Sequence, residues 1–113
     1  MPRFKIDGIQ PLSVNQVWAG QRFKTKKYKV YETNMLYLLP KIDPFPQAPY
    51  VVKFIFGFSN SLSDVDNGLK PLIDIMQKRY GFNDRDIVKL IAEKVTTKKG
   101  MEFIDFEIKT YVK

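Results

Sequence analysis

The chain has 113 residues, 44% of them hydrophobic, with 19 Lys and Arg against 12 Asp and Glu and a formal net charge of +7. That length fits a single domain, residues 1–113, with one modest core, and the charge favours a polyanionic partner such as nucleic acid. Cysteine and histidine are both absent, which excludes disulfides, thiolate nucleophiles, Ser-His-Asp and Cys-His catalysis and most zinc sites.

Any hydrolytic chemistry must therefore rest on carboxylates, lysine, hydroxyls and a bound metal. The opening "MPRFKIDGIQ" carries charge where a signal peptide needs an apolar run. No segment approaches the ~20 apolar residues of a membrane span. A cytoplasmic protein with no membrane partner is expected.

"RFKIDGI" alternates polar and apolar residues and predicts a first strand, ended by Gly8 and Pro11. "LSVNQVWAGQR" reads as an irregular loop. From Thr25 to about Leu39, Tyr28, Tyr31, Met35 and Leu38 or Leu39 fall at helical spacing, with Thr25 as a cap and Pro40 as a stop. The run "RFKTKKYK" holds Arg22, Lys24, Lys26, Lys27 and Lys29 without an acid. With Trp18 and Phe23 adjacent it suits phosphate contacts and base stacking, although such runs also serve as solvated faces.

"YVVKFIFGF", residues 50–58, is β-branched and aromatic, hence a buried strand. A polar loop leads to a helix beginning near Leu69 or Lys70 and closed by Gly81, with Leu69, Leu72, Ile73, Met76 and Tyr80 as its apolar face. Two alternating runs around "TKKG" predict a C-terminal β-hairpin. Its last strand would place Ile104, Phe106 and Ile108 on one face and Asp105, Glu107 and Lys109 on the other. Lys94, Lys98 and Lys99 form a second cationic group on this hairpin. The element order predicts an α+β fold, with a mixed sheet, two main helices and that hairpin.

The chemistry concentrates in "SDVDNGLKPLIDIMQKRYGFNDRDI", residues 63–87. Asp64 and Asp66 stand one residue apart where a loop enters the second helix. Lys70 follows Asp66 by four and precedes Asp74 by four, which suits one helical face. Asp84 lies beyond the far end of that helix and meets Asp64 and Asp66 only if the following chain doubles back along it.

Three converging carboxylates repel one another unless a cation joins them, and all-oxygen ligation selects Mg²⁺ or Mn²⁺. A calcium-binding EF-hand does not fit "DVDNG", because its glycine would stand one position later and its twelfth position is Ile75. The simpler alternative is that Asp64, Asp66 and Asn67 cap the helix. Lys70 either makes an exposed ion pair or contacts a scissile phosphate, and Asp74 then holds it in place.

On "DVDNGLKPLIDIM" and "GFNDRDIVKLIAEK" the chain resembles the RusA-like Holliday-junction resolvases, whose signature runs Asp-x-Asp-Asn, Lys, Asp, a turn, an acidic pair and a later strand lysine. Asp64, Asp66, Asn67, Lys70 and Asp74 match the first block, and Lys94 takes the strand-lysine place. Pro11, Asn15 and Trp18 look like the family's Pro-then-Asn-aromatic opening, which sets Asn15 and Trp18 among the DNA-facing residues. The family's paired aspartates stand here as Asn83-Asp84. Asp84 aligns with the metal-binding aspartate, and Asp86 remains its competitor.

The resemblance implies a homodimer that uses Mg²⁺ or Mn²⁺, and no small-molecule cofactor, to nick opposite strands of a four-way DNA junction. Asp64, Asp66 and Asp84 would be metal ligands, Lys70 a catalytic cation, and Asp74 and Asn67 their supports. The alternatives are a nuclease acting on flaps or forks and a junction-binding protein that does not cut.

Overall fold

The computed structural model describes residues 3–12, 18–19, 23–60 and 68–113. Its centre is strand β4, Tyr50–Phe58, in which Val52, Phe54, Phe56 and Phe58 are all buried. Alternate residues of a strand share a face. These four side chains therefore form the floor on which the helices rest.

Helix α1, Lys26–Leu38, starts where the Thr25 hydroxyl accepts a hydrogen bond from the Tyr28 amide, and Leu39 closes it ahead of Pro40. Tyr28, Tyr31, Met35 and Leu39 face the core, whereas Leu38 is exposed. Helix α2, Leu69–Tyr80, buries Leu72, Ile73, Ile75 and Met76. Pro71 falls in its first turn, where a missing amide proton breaks no intrahelical bond.

The helices are joined by an ion pair from Lys78 Nζ to Glu32 Oε2 at 2.6 Å. The Tyr80 hydroxyl also donates to the Pro40 carbonyl at 2.7 Å. Burial is the first cause that pushes this phenol up to about 12.

The sheet is four-stranded and mixed, in the order β1-β6-β4-β5, with β1 at Phe4–Asp7, β5 at Ile87–Thr96 and β6 at Phe103–Thr110. On β6, Ile104, Phe106 and Ile108 are buried as their alternation predicts. Asp105, on the other face, is buried too and is matched by Arg3 Nε at 2.8 Å. Among the described residues, no helix is long and apolar enough to cross a membrane.

The sequence expectation fails in two places. First, β5 and β6 do not form a hairpin. They flank β4, with β5 parallel to it and β6 antiparallel. Segment 97–102 therefore crosses the end of β4, and the Thr97 amide donates to the Phe58 carbonyl at 2.7 Å.

Two local features favour the crossing. Phe103 pairs with Gly57, and a Cβ on Gly57 would collide with the Phe103 ring, so glycine lets the ring lie across β4. Glu102 anchors the segment, accepting from the Gly100 amide at 2.8 Å. Its own amide and the Ser59 hydroxyl also hold its carboxyl below the usual glutamate range.

Second, the expected irregular loop contains a short strand, β2 at Trp18–Ala19, which pairs antiparallel with β3 at Phe23–Lys24 just beyond it.

Candidate functional site

Strand β4, helix α2 and strand β5 form a β-α-β unit. Parallel neighbours require such a crossover, since a tight turn cannot join them. A Cβ on Gly68 would lie 3.2 Å from the Phe56 ring, so α2 begins over the second half of β4. It then runs back toward Tyr50, beside which β5 starts at Ile87.

The turn after α2 places Asp84. Gly81 takes a left-handed conformation, φ 75°, and its amide donates to the Gln77 carbonyl, a geometry that favours glycine. The Phe82 ring then packs on Phe45 and Tyr50, with centroids 5.8 and 5.5 Å away. Next comes a single 3-10 turn, Asp84–Asp86, capped by the Asn83 side chain accepting from the Arg85 amide. The Asp84 amide donates to Gln77 Oε1 at 3.0 Å. By these bonds the chain folds back along the helix it has just left.

As a result Lys70, near one end of α2, meets an acid from beyond the other end. Its ammonium lies 3.0 Å from Asp74 Oδ1 and 3.9 Å from Asp84 Oδ2. The hydrogen bond to Asp74 is the main cause that raises the Lys70 pKa, and the Asp84 charge adds to it. The ammonium thus keeps its charge further into the alkaline range than an ordinary lysine.

The two candidate acids part company here. Asp84 turns toward Lys70, whereas Asp86 lies near Tyr50, whose phenol it raises after the larger effect of burial.

Several expected site residues lie outside the described residues: Asn15, Arg22, Asp64, Asp66 and Asn67. Trp18 and Lys24 belong to β2 and β3 as register partners. Lys26 and Lys27 are exposed in the first turn of α1. Lys94 pairs in register with Phe56, the ring under Gly68, and so shares the corner where α2 begins. Lys98 and Lys99 are exposed on the crossing after β5, rather than on a hairpin.

Among the described residues, no three acids or other ligating side chains come together to hold a metal. The described part of the acidic constellation is Asp74 and Asp84 around Lys70. Its donors are carboxylate oxygens alone, which fit a hard divalent cation better than a soft one.

Gln77 and the ring cluster of Phe45, Tyr50, Tyr80 and Phe82 position Asp84 without standing out in the sequence. A lone glutamine on a helix usually faces solvent, and aromatic residues are read as core. A groove of about 750 Å³ is lined by Phe4, Ile42, Pro44 and Phe45 among others, and holds none of the expected site residues. No protein-family model matches the chain, and neither does any curated protein.

Proposed function

We propose that this protein is a RusA-like endodeoxyribonuclease that resolves four-way DNA junctions by paired nicking. The observation that carries this reading is the fold-back that brings Asp84 within 3.9 Å of Lys70. The signature residues need that approach, and the helix alone would prevent it.

In this reading Asp64, Asp66 and Asp84 hold Mg²⁺ or Mn²⁺. When bound, such a cation lowers the pKa of a water molecule and polarises the phosphate. Asp74 holds the Lys70 ammonium in place, and Lys70 meets negative charge developing on the phosphate oxygens. Lysine takes this role in a chain that has no histidine.

The exposed cations Lys26, Lys27, Lys94, Lys98 and Lys99, together with Arg22, Lys24, Asn15 and Trp18, give the DNA an electrostatic and stacking surface. Each chain supplies one acidic constellation, so symmetric nicks in opposite strands call for two chains about a two-fold axis.

The test is cleavage of a labelled synthetic four-way junction with Mg²⁺, Mn²⁺ or chelator, beside linear duplex and flap controls. Metal-dependent paired nicks on the junction are expected. Nicking confined to flaps would reassign the substrate. Tight junction binding without nicks in either metal would overturn the catalytic reading.

A further inference from the structure

The helices rest on Val52, Phe54, Phe56 and Phe58 of β4. The other face of the sheet, which carries Val51 and Lys53, looks away from them. Charge is spread unevenly over this open face. Toward one end the cations are matched: Arg3 lies 2.8 Å from Asp105 and Lys5 lies 3.4 Å from Asp7, and Glu93 stands beside Ile55.

Toward the other end, where β4 and β5 begin and β6 finishes, three lysines gather. Lys89 and Lys109 flank Val51 from the two neighbouring strands, and Lys53 follows two residues along β4. Glu107 stands opposite Lys53, with Lys109 Nζ 3.8 Å away. Among the described residues it is the one acid that lines this place, so positive charge is in excess here.

These side chains border a groove of about 520 Å³, within the range of small-molecule sites, ~300–1,000 Å³. Val51 and Ile91 give it an apolar floor, and Tyr111 stands at its side. The Tyr111 amide donates to the Pro49 carbonyl at 2.7 Å, which fixes that residue beyond the end of β6. The Thr110 hydroxyl donates to the Gln47 carbonyl at 2.6 Å.

We infer that this groove binds a free nucleoside triphosphate, with the phosphates on Lys53, Lys89 and Lys109 and the base against Val51, Ile91 and Tyr111. Neighbouring strands are ~4.8 Å apart, so Lys89 and Lys109 rise from backbones roughly 10 Å apart, with Lys53 between them. That spread suits a chain of phosphates better than a single one, and each contact is a charge-assisted hydrogen bond. An aromatic ring and an apolar floor hold a base by its face, which every base presents. With the Thr110 hydroxyl engaged elsewhere, the identity of the base matters little, and ATP is a fair probe.

None of these residues belongs to the constellation of Lys70, Asp74 and Asp84, so this inference and the nuclease reading can fail separately. The test is titration calorimetry of the full chain at low salt with ATP, ADP, adenosine and tripolyphosphate. ATP is expected to bind more tightly than ADP or tripolyphosphate, and adenosine not measurably. Lys53→Gln and Lys89→Gln should each weaken ATP binding roughly tenfold. Lys89→Arg should keep most of it, and Lys5→Gln, on the same face but outside the groove, should bind as the parent does.

Four results would overturn the inference. The first is an absence of ATP binding, and the second an equal loss in Lys5→Gln, which would make net charge the cause. The third is tripolyphosphate bound as tightly as ATP, which would leave the base no place. The last is single-stranded DNA that the same lysines bind and ATP does not displace, which would give this face to DNA.

Discussion

Strands β4 and β5 lie side by side in parallel register, Phe54 beside Ala92 and Phe56 beside Lys94, yet their surroundings are opposite. Phe54 and Phe56 are fully buried under the helices, whereas no residue of β5 is buried. Hydrogen bonding is shared between the two strands, so backbone pairing does not separate them. What separates them is the helical layer, which covers β4 and stops short of β5. One strand holds the fold together, and the other presents the ends of the candidate site and an open edge.

This contrast can be broken by substitution. Phe56→Ala should have the largest effect, lowering stability by about 3–5 kcal/mol in urea unfolding, because it opens a cavity under the start of α2. Gly57→Val should cost about 1–3 kcal/mol, since its side chain displaces the Phe103 ring and disturbs the crossing. Leu90→Ala, on β5, should change stability by less than about 0.5 kcal/mol when measured on the monomer at low concentration. A Leu90 effect as large as that of Phe56 would show that β5 is a core strand in solution.

The same contrast explains what was legible in the sequence. Helix boundaries were readable because they are local: the Thr25 hydroxyl, Pro40 and the left-handed Gly81 act within a turn of where they stand. The burial of β4 followed from its β-branched and aromatic content, and the buried face of β6 from alternation. The partner of β5 did not, because alternation assigns faces and is silent about which strand lies alongside. "TKKG" carries the chemistry of a tight turn, but here it belongs to a crossing held by Glu102 and admitted by Gly57.

The candidate site divides in the same way. The pairing of Lys70 with Asp74 is a four-residue helical spacing and could be read directly. The approach of Asp84 depends on Gln77 and on the packing of Phe82 against Phe45 and Tyr50, contacts that no local pattern announces. That Asp84, and not Asp86, is the acid that approaches Lys70 could be seen only once those contacts were placed.

That choice gives the most direct test of the account. Nicking of a four-way junction in Mg²⁺ should be compared for the parent protein, Asp84→Asn and Asp86→Asn, with junction binding measured alongside. The parent should give paired nicks. Asp84→Asn should lose nicking by on the order of 100-fold or more while still binding the junction, because under the proposed function it removes a metal ligand. Asp86→Asn should stay close to the parent. Nicking by Asp84→Asn at the parent rate, or loss confined to Asp86→Asn, would contradict the placement of the site at Asp84 and Lys70.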